Sequence, residues 1–263
     1  MTFGSDDRGA PSSLRGWLSE VYFPAVLAGA LEPLLLRLGA RATLDEPMIG
    51  HAAGLEQLAE NLGQMSKKLA ETNASWDRYA FVTGIDRDMT EGILSFDRED
   101  LRIALPVAVV AERRKSREVE LRVYCRSREL PRSLPRNPPF IPPLPALVPD
   151  NVRALLDCFA AGDAKGAAAL FDGASFTREP TARQREGREA IEHGFASLLG
   201  AGVELFPTGT ADDGRHCLVE GALLRIGGTE VRPIHSLFVL ERSDQGLFRS
   251  LRIYDDALAS TEG

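Results

Sequence analysis

The chain has 263 residues, enough for two domains of ordinary size that each bury a core. Its net charge of -7 gives no basic stripe for nucleic acid, and no apolar run reaches the roughly 20 residues that a membrane-spanning helix requires. Three cysteines without metal-ligand spacing, an odd number, argue against a secreted disulfide framework, and the polar N-terminal segment is not typical of a signal peptide. We therefore expect a cytoplasmic protein that binds neither nucleic acid nor membranes.

Hydrophobic periodicity predicts the same order of elements in both halves of the chain, with helices first and a hairpin-linked sheet last. In the first half it predicts a helix at 54–69 and strands at 76–83, 90–96, 101–113 and 118–125. In the second half it predicts helices at 150–159, 163–171 and 187–199, strands at 174–177, 203–208, 217–226, 230–242 and 247–255, and a hairpin turn at 243–246. Helices followed by a hairpin-linked sheet are typical of the α+β class.

A proline-rich segment separates the two halves. Eight of the sixteen prolines lie between Pro131 and Pro149, and this density disfavours helices and sheet ladders and favours an extended polyproline conformation. Because apolar residues are interleaved with the prolines, we predict a linker at 131–149 that lies along a domain surface; a flexible spacer is the alternative. The predicted domains are 14–130 and 150–260.

The two halves repeat the same short motifs. Glu46-Pro47 returns 133 residues later as Glu179-Pro180, and each pair is followed by a Gly-x-Glu sequence. Glu-Gly at 91–92 returns at 220–221, and Leu-Arg-Val-Tyr at 121–124 returns as Leu-Arg-Ile-Tyr at 251–254. A period this long is too great for a solenoid repeat, so we predict two copies of one domain, each with its own core and site.

One predicted strand in each copy is apolar at nearly every position, at 105–111 and at 234–240. A half-solvated antiparallel strand should alternate between apolar and polar residues, so both faces of these strands are expected to be covered. Helices can cover one face, and the sheet of the sister copy is the natural cover for the other. This predicts an intramolecular pseudo-dimer.

The order of elements, the short strand that ends in an acid-proline pair and the Gly-x-Glu helix that follows resemble the nuclear transport factor 2-like superfamily. Its members include ketosteroid isomerases, SnoaL-like polyketide cyclases and limonene epoxide hydrolase-like enzymes. The resemblance covers roughly residues 14–128 and 150–258, and it implies two cone-shaped domains in which helices pack on a curved sheet around an apolar pocket. The superfamily also hosts non-catalytic binders, so fold resemblance alone does not select a function.

In ketosteroid isomerases the carboxylate before the proline of the short strand shuttles a proton, and the matching positions here are Glu46 and Glu179. The tyrosine that donates to the oxyanion matches Tyr22 in the first copy, whereas the second copy has Leu155. The position of the late-strand aspartate, the other oxyanion donor, falls near Pro106 in the first copy and near His235 in the second. Neither copy has the full set, so we do not predict steroid isomerisation.

A second arrangement in the second copy, Glu179, Glu204 and Tyr254, is similar to the tandem epoxide hydrolases of polyether biosynthesis. There, one carboxylate deprotonates the attacking hydroxyl, and a second acid, helped by a tyrosine, protonates the opening epoxide. Two carboxyls can divide these roles when their environments separate their pKa values. The corresponding residues of the first copy are Glu46, Tyr79 and Tyr124.

The remaining candidates are aromatic residues that would line a pocket for an apolar substrate. The candidate substrate-binding residues are Tyr79, Tyr124, Trp76 and Phe206. Nucleotide-binding, metal-binding and nucleophile motifs are missing from the sequence, which favours acid–base catalysis without a cofactor.

Structural roles are the alternative at each of these positions. Either glutamate could be solvated or cap a helix, the repeated Arg-x-Tyr could serve the fold of both copies, and His235 could be a hydrogen-bonded core residue. Asp255 beside Arg232 is a further alternative that is similar to the acid and arginine clusters of limonene epoxide hydrolases.

The sequence thus predicts a cofactor-independent isomerase or cyclase for an apolar, polyketide-like substrate, with epoxide-opening ether formation as one form of it. The competing hypothesis is a non-catalytic small-molecule-binding or assembly module of the same fold. We expect the second copy to hold the better-equipped site, and further oligomerisation of the pseudo-dimer is left open.

Overall fold

The computed structural model describes residues 17–114, 118–126, 138–179, 183–200, 204–226 and 229–254. These residues form two units, each with three helices and a six-stranded mixed sheet. The α+β class, the two tandem domains and their packing as a pseudo-dimer are confirmed. In the described part of the chain, no helix has both the length and the apolar character that crossing a membrane requires.

The first unit has the sheet order β2-β1-β6-β5-β4-β3, in which β1 and β6 are parallel and the other neighbours antiparallel. Its helices are α1 (Leu18–Ala28), α2 (Leu31–Leu38) and α3 (Leu55–Glu71), and its strands are β1 (Thr43–Glu46), β2 (Gly50–Ala53), β3 (Ser75–Thr83), β4 (Arg87–Arg98), β5 (Leu101–Arg113) and β6 (Val119–Cys125).

The second unit repeats this topology with the order β8-β7-β12-β11-β10-β9. Its helices are α4 (Asp150–Ala161), α5 (Ala164–Ala169) and α6 (Arg188–Gly200), and its strands are β7 (Phe171–Arg178), β8 (Gln184–Glu186), β9 (Glu204–Asp212), β10 (His216–Ile226), β11 (Thr229–Arg242) and β12 (Phe248–Tyr254).

Two predicted element ends are wrong for physical reasons. The helix predicted at 163–171 ends at Ala169, and Phe171 opens a strand because its ring packs into the second core against Phe195 and Phe248. The strand predicted to end at residue 208 continues to Asp212, because a bulge changes its register with β10 and lets pairing resume at Gly209.

Each sheet carries its own helices on one face. In α3 the buried residues Leu58, Leu62, Met65 and Leu69 recur at helical spacing, so one stripe of the helix faces the first core. The second core is built in the same way, with Phe195 of α6 packed between its helices and sheet.

The other faces of the two sheets pack against each other. Along β5, Val107 and Val109 face the first core, whereas Ala108 and Val110 face the second unit. The β11 strand alternates in the same way, which explains why both strands are apolar at nearly every position. The apolar junction between the units is formed by Val82, Met89, Ala108, Val110, Tyr124, Ala211, Leu218, Leu237, Val239 and Tyr254.

Two buried ionic clusters flank this apolar junction, and each joins one unit to the other. Glu220 of β10 accepts hydrogen bonds from Arg122 Nε at 2.6 Å and Nη2 at 2.7 Å, and from the Tyr124 hydroxyl at 2.6 Å. Arg87 Nε lies 3.2 Å from the same carboxylate, and Arg87 Nη2 lies 2.8 Å from Glu112. We call this group the Arg122 cluster.

The second cluster is the reciprocal of the first. Glu91 of β4 accepts from Arg252 Nη2 at 2.6 Å and from the Tyr254 hydroxyl at 2.6 Å, and Arg178 Nη2 lies 4.0 Å from it. We call this group the Arg252 cluster. The repeated Glu-Gly and Arg-x-Tyr motifs are therefore partners across the junction, because each copy supplies the acid for the other copy's arginine and tyrosine.

The end of the linker lies against the second unit. The Ala146 N–H donates to the Pro207 carbonyl at 2.9 Å, and the Thr210 hydroxyl donates to the Leu147 carbonyl at 2.9 Å. Val148 packs against the second core, while Phe140 and Leu147 are exposed. This stretch follows the β9 edge, as expected for a linker that lies along a domain surface.

Glu220→Gln is expected to lower the free energy of unfolding by about 3 kcal/mol, because two buried guanidiniums lose the buried carboxylate that they share and keep only the partly exposed Glu112 and Glu120. Urea unfolding at pH 7 would measure this loss. The matched control is Asp97→Asn, which removes a carboxylate that is paired with Arg102 at an exposed site and should change stability little. Equal effects of the two substitutions would contradict the role assigned to the cluster.

Acid should weaken the junction in a defined pH window. Glu220 is fully buried; burial alone would raise its pKa, but the charges of Arg122 and Arg87 and their hydrogen bonds lower it from 4.5 to about 2. A depressed carboxylate pKa stabilises the folded state above pH 4.5, and this contribution of roughly 3 kcal/mol is lost as the pH falls towards 2. Urea midpoints between pH 6 and pH 2.5 should fall more steeply for the wild type than for Glu220→Gln. Parallel curves would refute this assignment.

Candidate functional site

The interior of the first unit holds one pair of the predicted catalytic residues. Glu46 ends β1 and is 2% exposed, and its carboxylate accepts hydrogen bonds from the backbone N–H groups of Met48 at 2.6 Å and Ile49 at 3.0 Å. These bonds close the turn between β1 and β2, so the candidate base also has a structural role.

Tyr22 of α1 is buried in the same interior, and its hydroxyl donates to the Met65 sulfur at 3.9 Å. Burial, followed by the negative charges of Glu46 and Cys125, holds the pKa of Tyr22 well above its usual range. The phenol therefore stays protonated at neutral pH and can act as a hydrogen-bond donor. Of the predicted catalytic residues, these two are brought to one interior.

The two candidate acids of the second unit lie near opposite edges of its sheet. Glu179 follows β7 and accepts from Arg185 Nε of β8 at 2.8 Å, and its side chain is 28% exposed. Glu204 opens the edge strand β9 and is exposed. Three strands lie between β7 and β9 in the sheet order, so these carboxylates do not face each other across one short gap.

Tyr254 and His235 point away from the core of their own unit. The Tyr254 hydroxyl donates to Glu91 and lies 2.9 Å from the Tyr79 hydroxyl, and the His235 ring packs edge-on against Tyr124 at 6.3 Å. Burial, followed by the charge of Glu91, raises the pKa of Tyr254. Both side chains therefore contact the first unit at the junction, on the opposite face of the sheet from the second core.

The four predicted substrate-binding residues lie in four different environments. Trp76 stacks on Phe23 in the first core with ring centroids 4.6 Å apart, and Tyr124 belongs to the Arg122 cluster. Phe206 is half-buried on the β9 edge strand. Tyr79 is 46% exposed and lines a pocket at the junction.

This junction pocket has a volume of about 440 Å³ and receives walls from both units. The first unit supplies Tyr79 and Ala80, and the second supplies Phe176, Arg178, Gln184, Arg215, His216, Glu241 and Arg252. The lining includes apolar surface from Tyr79, Ala80 and Phe176, three guanidiniums and one carboxylate, and Arg178 and Arg252 lie next to Tyr79. Within the described residues, no group of three or more histidine, cysteine, aspartate or glutamate side chains is placed to hold a metal ion.

The buried Arg252 cluster fixes part of the pocket wall. Arg178 Nη2 donates to the Tyr79 hydroxyl at 3.0 Å and to the Tyr254 hydroxyl, and its guanidinium lies over the Tyr254 ring at 5.3 Å. Arg252 donates to both oxygens of Glu91, from Nε to Oε1 at 2.9 Å and from Nη2 to Oε2 at 2.6 Å. These contacts hold the side chains in place before any ligand binds.

Sequence reasoning missed most of this wall. His216 is not among the residues that the sequence singles out, yet its side chain is only 17% exposed and lines the pocket. Arg178 stands beside the candidate Glu179, and only the structure turns it towards Tyr79. The repeat does contain one indication of His216. Four residues before each Glu-Gly pair, Arg87 of the first copy is aligned with His216 of the second, so the copies differ there in side-chain length and charge. Asp255 lies outside the described residues, so its proposed role beside Arg232 stays a prediction.

No model of a known protein family matches this chain, and no curated protein sequence matches it. Among solved structures, a hypothetical protein with a ketosteroid isomerase-like fold from Catenulispora acidiphila is similar at 18% identity, with a TM-score of 0.38, over 41% of this chain and 86% of that chain. A putative polyketide cyclase from Sinorhizobium meliloti is similar at 20% identity, with a TM-score of 0.36, over 40% of this chain and 94% of that chain.

A further similar structure is that of SalBIII, an epoxide hydrolase/cyclase-like enzyme with a role in pyran ring formation in the polyether salinomycin. Its identity is 21% and its TM-score 0.37, over 41% of this chain and 90% of that chain. At these identities and TM-scores, the likenesses leave the activity of this chain open.

Glu46→Ala is expected to lower the free energy of unfolding by about 1–2 kcal/mol, because the half-buried N–H of Met48 loses its acceptor and that of Ile49 keeps only the Glu46 carbonyl at 3.3 Å. Glu46→Gln keeps one side-chain oxygen for these donors and should cost less. Urea unfolding of both variants would measure the difference. If the alanine variant were as stable as the wild type, Glu46 would have no structural role in the turn.

Proposed function

We propose that this chain is a small-molecule-binding protein whose ligand occupies the junction pocket between its two domains. The observation that carries the proposal is the cavity of about 440 Å³, to which both units contribute side chains. This volume lies in the range of ligand sites, roughly 300–1,000 Å³, and domain junctions are preferred places for such sites.

The composition of the wall supports the same function. The apolar surfaces of Tyr79, Ala80 and Phe176 can contact the body of a small ligand, and polar groups such as Gln184 and Arg215 can fix its orientation. Because hydrogen bonds to Tyr79 and Tyr254 already hold Arg178 and an ion pair with Glu91 holds Arg252, little entropy of these side chains would be lost when a ligand binds.

Cofactor-independent acid–base catalysis on an apolar, polyketide-like substrate is the second candidate function, and the placement of Glu46 and Tyr22 favours it. A buried carboxylate and a neutral phenol in one interior are a base and a hydrogen-bond donor of the kind that isomerisation or cyclisation requires. Epoxide opening by Glu179 and Glu204 has less support, because these residues lie near opposite edges of the second sheet. Glu46→Gln, which spares the turn, is the variant in which loss of turnover would identify the base.

Ligand-observed NMR with a library of small organic fragments would test the binding function. We expect a subset of fragments to bind the wild type and to lose binding in Gln184→Trp, where an indole enters the pocket from its β8 wall. The matched control is Gln64→Trp, which places the same side chain on the exposed face of α3 and should leave binding unchanged. Equal binding to all three proteins would place the fragments elsewhere, and the absence of any binder would refute the proposed function.

A further inference from the structure

The two sides of the domain junction are built from matched positions of the duplicated fold. In the first unit Arg87 pairs with Glu112 across β4 and β5, and in the second His216 pairs with Glu241 across β10 and β11. The junction pocket lies on the His216 side. Comparing the two sides therefore shows which side chains and charges differ where the pocket lies.

On the Arg87 side of the junction, the first side, protein atoms fill the space that corresponds to the pocket. The His216 side is the second side. The Arg87 side chain is 8% exposed and contacts Glu112 and Glu220, and it lies so close to Gly209 that a Cβ there would collide with the guanidinium. On the second side the residue at the Gly209 position is Ala80, and the imidazole of His216 is shorter than an arginine side chain. Arginine therefore fills on one side the space that lies open on the other.

The charge balance of the two sides also differs. In the strand register of the first side, Asp45 of β1 lies beside Arg122 of β6. At the matched place on the second side, Arg178 of β7 lies beside Arg252 of β12. Likewise, the residue beside Glu112 on the neighbouring strand is Glu120, whereas the residue beside Glu241 on its neighbouring strand is Ser250. These two exchanges replace a carboxylate by a cation and a carboxylate by a neutral group. Together they outweigh the loss of one guanidinium where His216 stands in place of Arg87, so the pocket side carries more positive charge than the filled side.

The cations of the pocket leave donors for a ligand. The contacts that described residues make with Arg178 go to its Nη2 atom, and a guanidinium carries five N–H donors. Arg215 is 66% exposed and lies 3.1 Å from Glu241 through one nitrogen. Three guanidiniums, those of Arg178, Arg215 and Arg252, line the pocket with one carboxylate, Glu241. Two further carboxylates contact lining residues, since Glu91 pairs with Arg252 and Asp213 lies 3.5 Å from His216.

We propose that the ligand of the junction pocket is a small organic carboxylate with an apolar body. Its carboxylate pairs with Arg178 and Arg215, since a planar guanidinium fork matches a carboxylate in geometry and charge. Its apolar body lies against the rings of Tyr79 and Phe176, which line the pocket beside Arg178. This inference rests on the proposed function, because it names the class of molecule that the same pocket binds.

An NMR titration with 3-phenylpropionate and its neutral counterpart 3-phenylpropanamide tests the charge requirement. We expect the carboxylate to bind the wild type about tenfold or more tightly than the amide, because charge-assisted hydrogen bonds are the stronger ones. Inorganic phosphate, which lacks the apolar body, should bind more weakly than the carboxylate. Arg215→Gln should weaken carboxylate binding about tenfold, while the control Arg102→Gln, which alters an exposed arginine paired with Asp97, should not.

A pocket-filling variant tests the location. The double variant Ala80→Gly with His216→Arg copies the arrangement of Gly209 and Arg87, and it should abolish carboxylate binding without lowering the thermal unfolding temperature. If this variant does not fold, Arg215→Gln alone decides the location. Unchanged binding in the folded double variant, or in Arg215→Gln, would overturn the assigned site.

The outcomes separate this inference from the proposed function. If the carboxylate and the amide bind the wild type equally, or if phosphate binds as tightly as the carboxylate, the assigned ligand class is wrong while the binding function stands. If neither probe binds but fragments of other classes do so in a Gln184-dependent way, the ligand class is likewise wrong. If nothing binds the wild type, the binding function fails as well.

Discussion

The architecture depends on two reciprocal ion pairs that are buried between its domains. Glu91 meets Arg252, and Glu220 meets Arg122, so each domain completes the charge balance of the other. Removing charges from water is unfavourable, and a carboxylate with no partner on a sheet face would need to stay hydrated or become protonated. Neither sheet could bury its outer face without the matching face of its sister. The pairs therefore act as specificity elements, while the apolar residues between them supply the burial that drives association.

This constraint explains why the copies keep some residues and vary others. The glutamate and the Arg-x-Tyr motif occur in both copies because each ion pair takes one member from each copy. Arg87 and His216 occupy matched positions in the two copies. Arg87 is the second cation beside Glu220, whereas the second cation beside Glu91 is Arg178 of β7. The exchange removes a long side chain from one side of the junction. A pocket thus arises from a break in the symmetry of the duplicate, at a point where the surrounding side chains are already held by buried charge.

The placement of the candidate catalytic residues follows from strand alternation. Tyr254 and His235 occupy alternate positions whose side chains face the sister sheet, whereas Phe238 and Ile253 face the second core. Glu46 and Tyr22 face the inside of the first domain. The interior of the first domain and the junction are therefore separate environments. The catalytic candidates Glu46 and Tyr22 do not line the junction pocket, and the residues of that pocket do not line the interior.

The sequence by itself determined the duplication, the α+β order of elements and the apolar strands that must be covered on both faces. These features depend on local pattern, since periodicity and repeated motifs are properties of contiguous residues. Only the tertiary structure decided that the repeated motifs pair across the junction, because the two members of each ion pair lie about 100 to 160 residues apart and no local pattern links them. It also decided that His216 lines a pocket where Arg87 fills the matched space, since whether a side chain fills or opens a space depends on neighbours from the other domain.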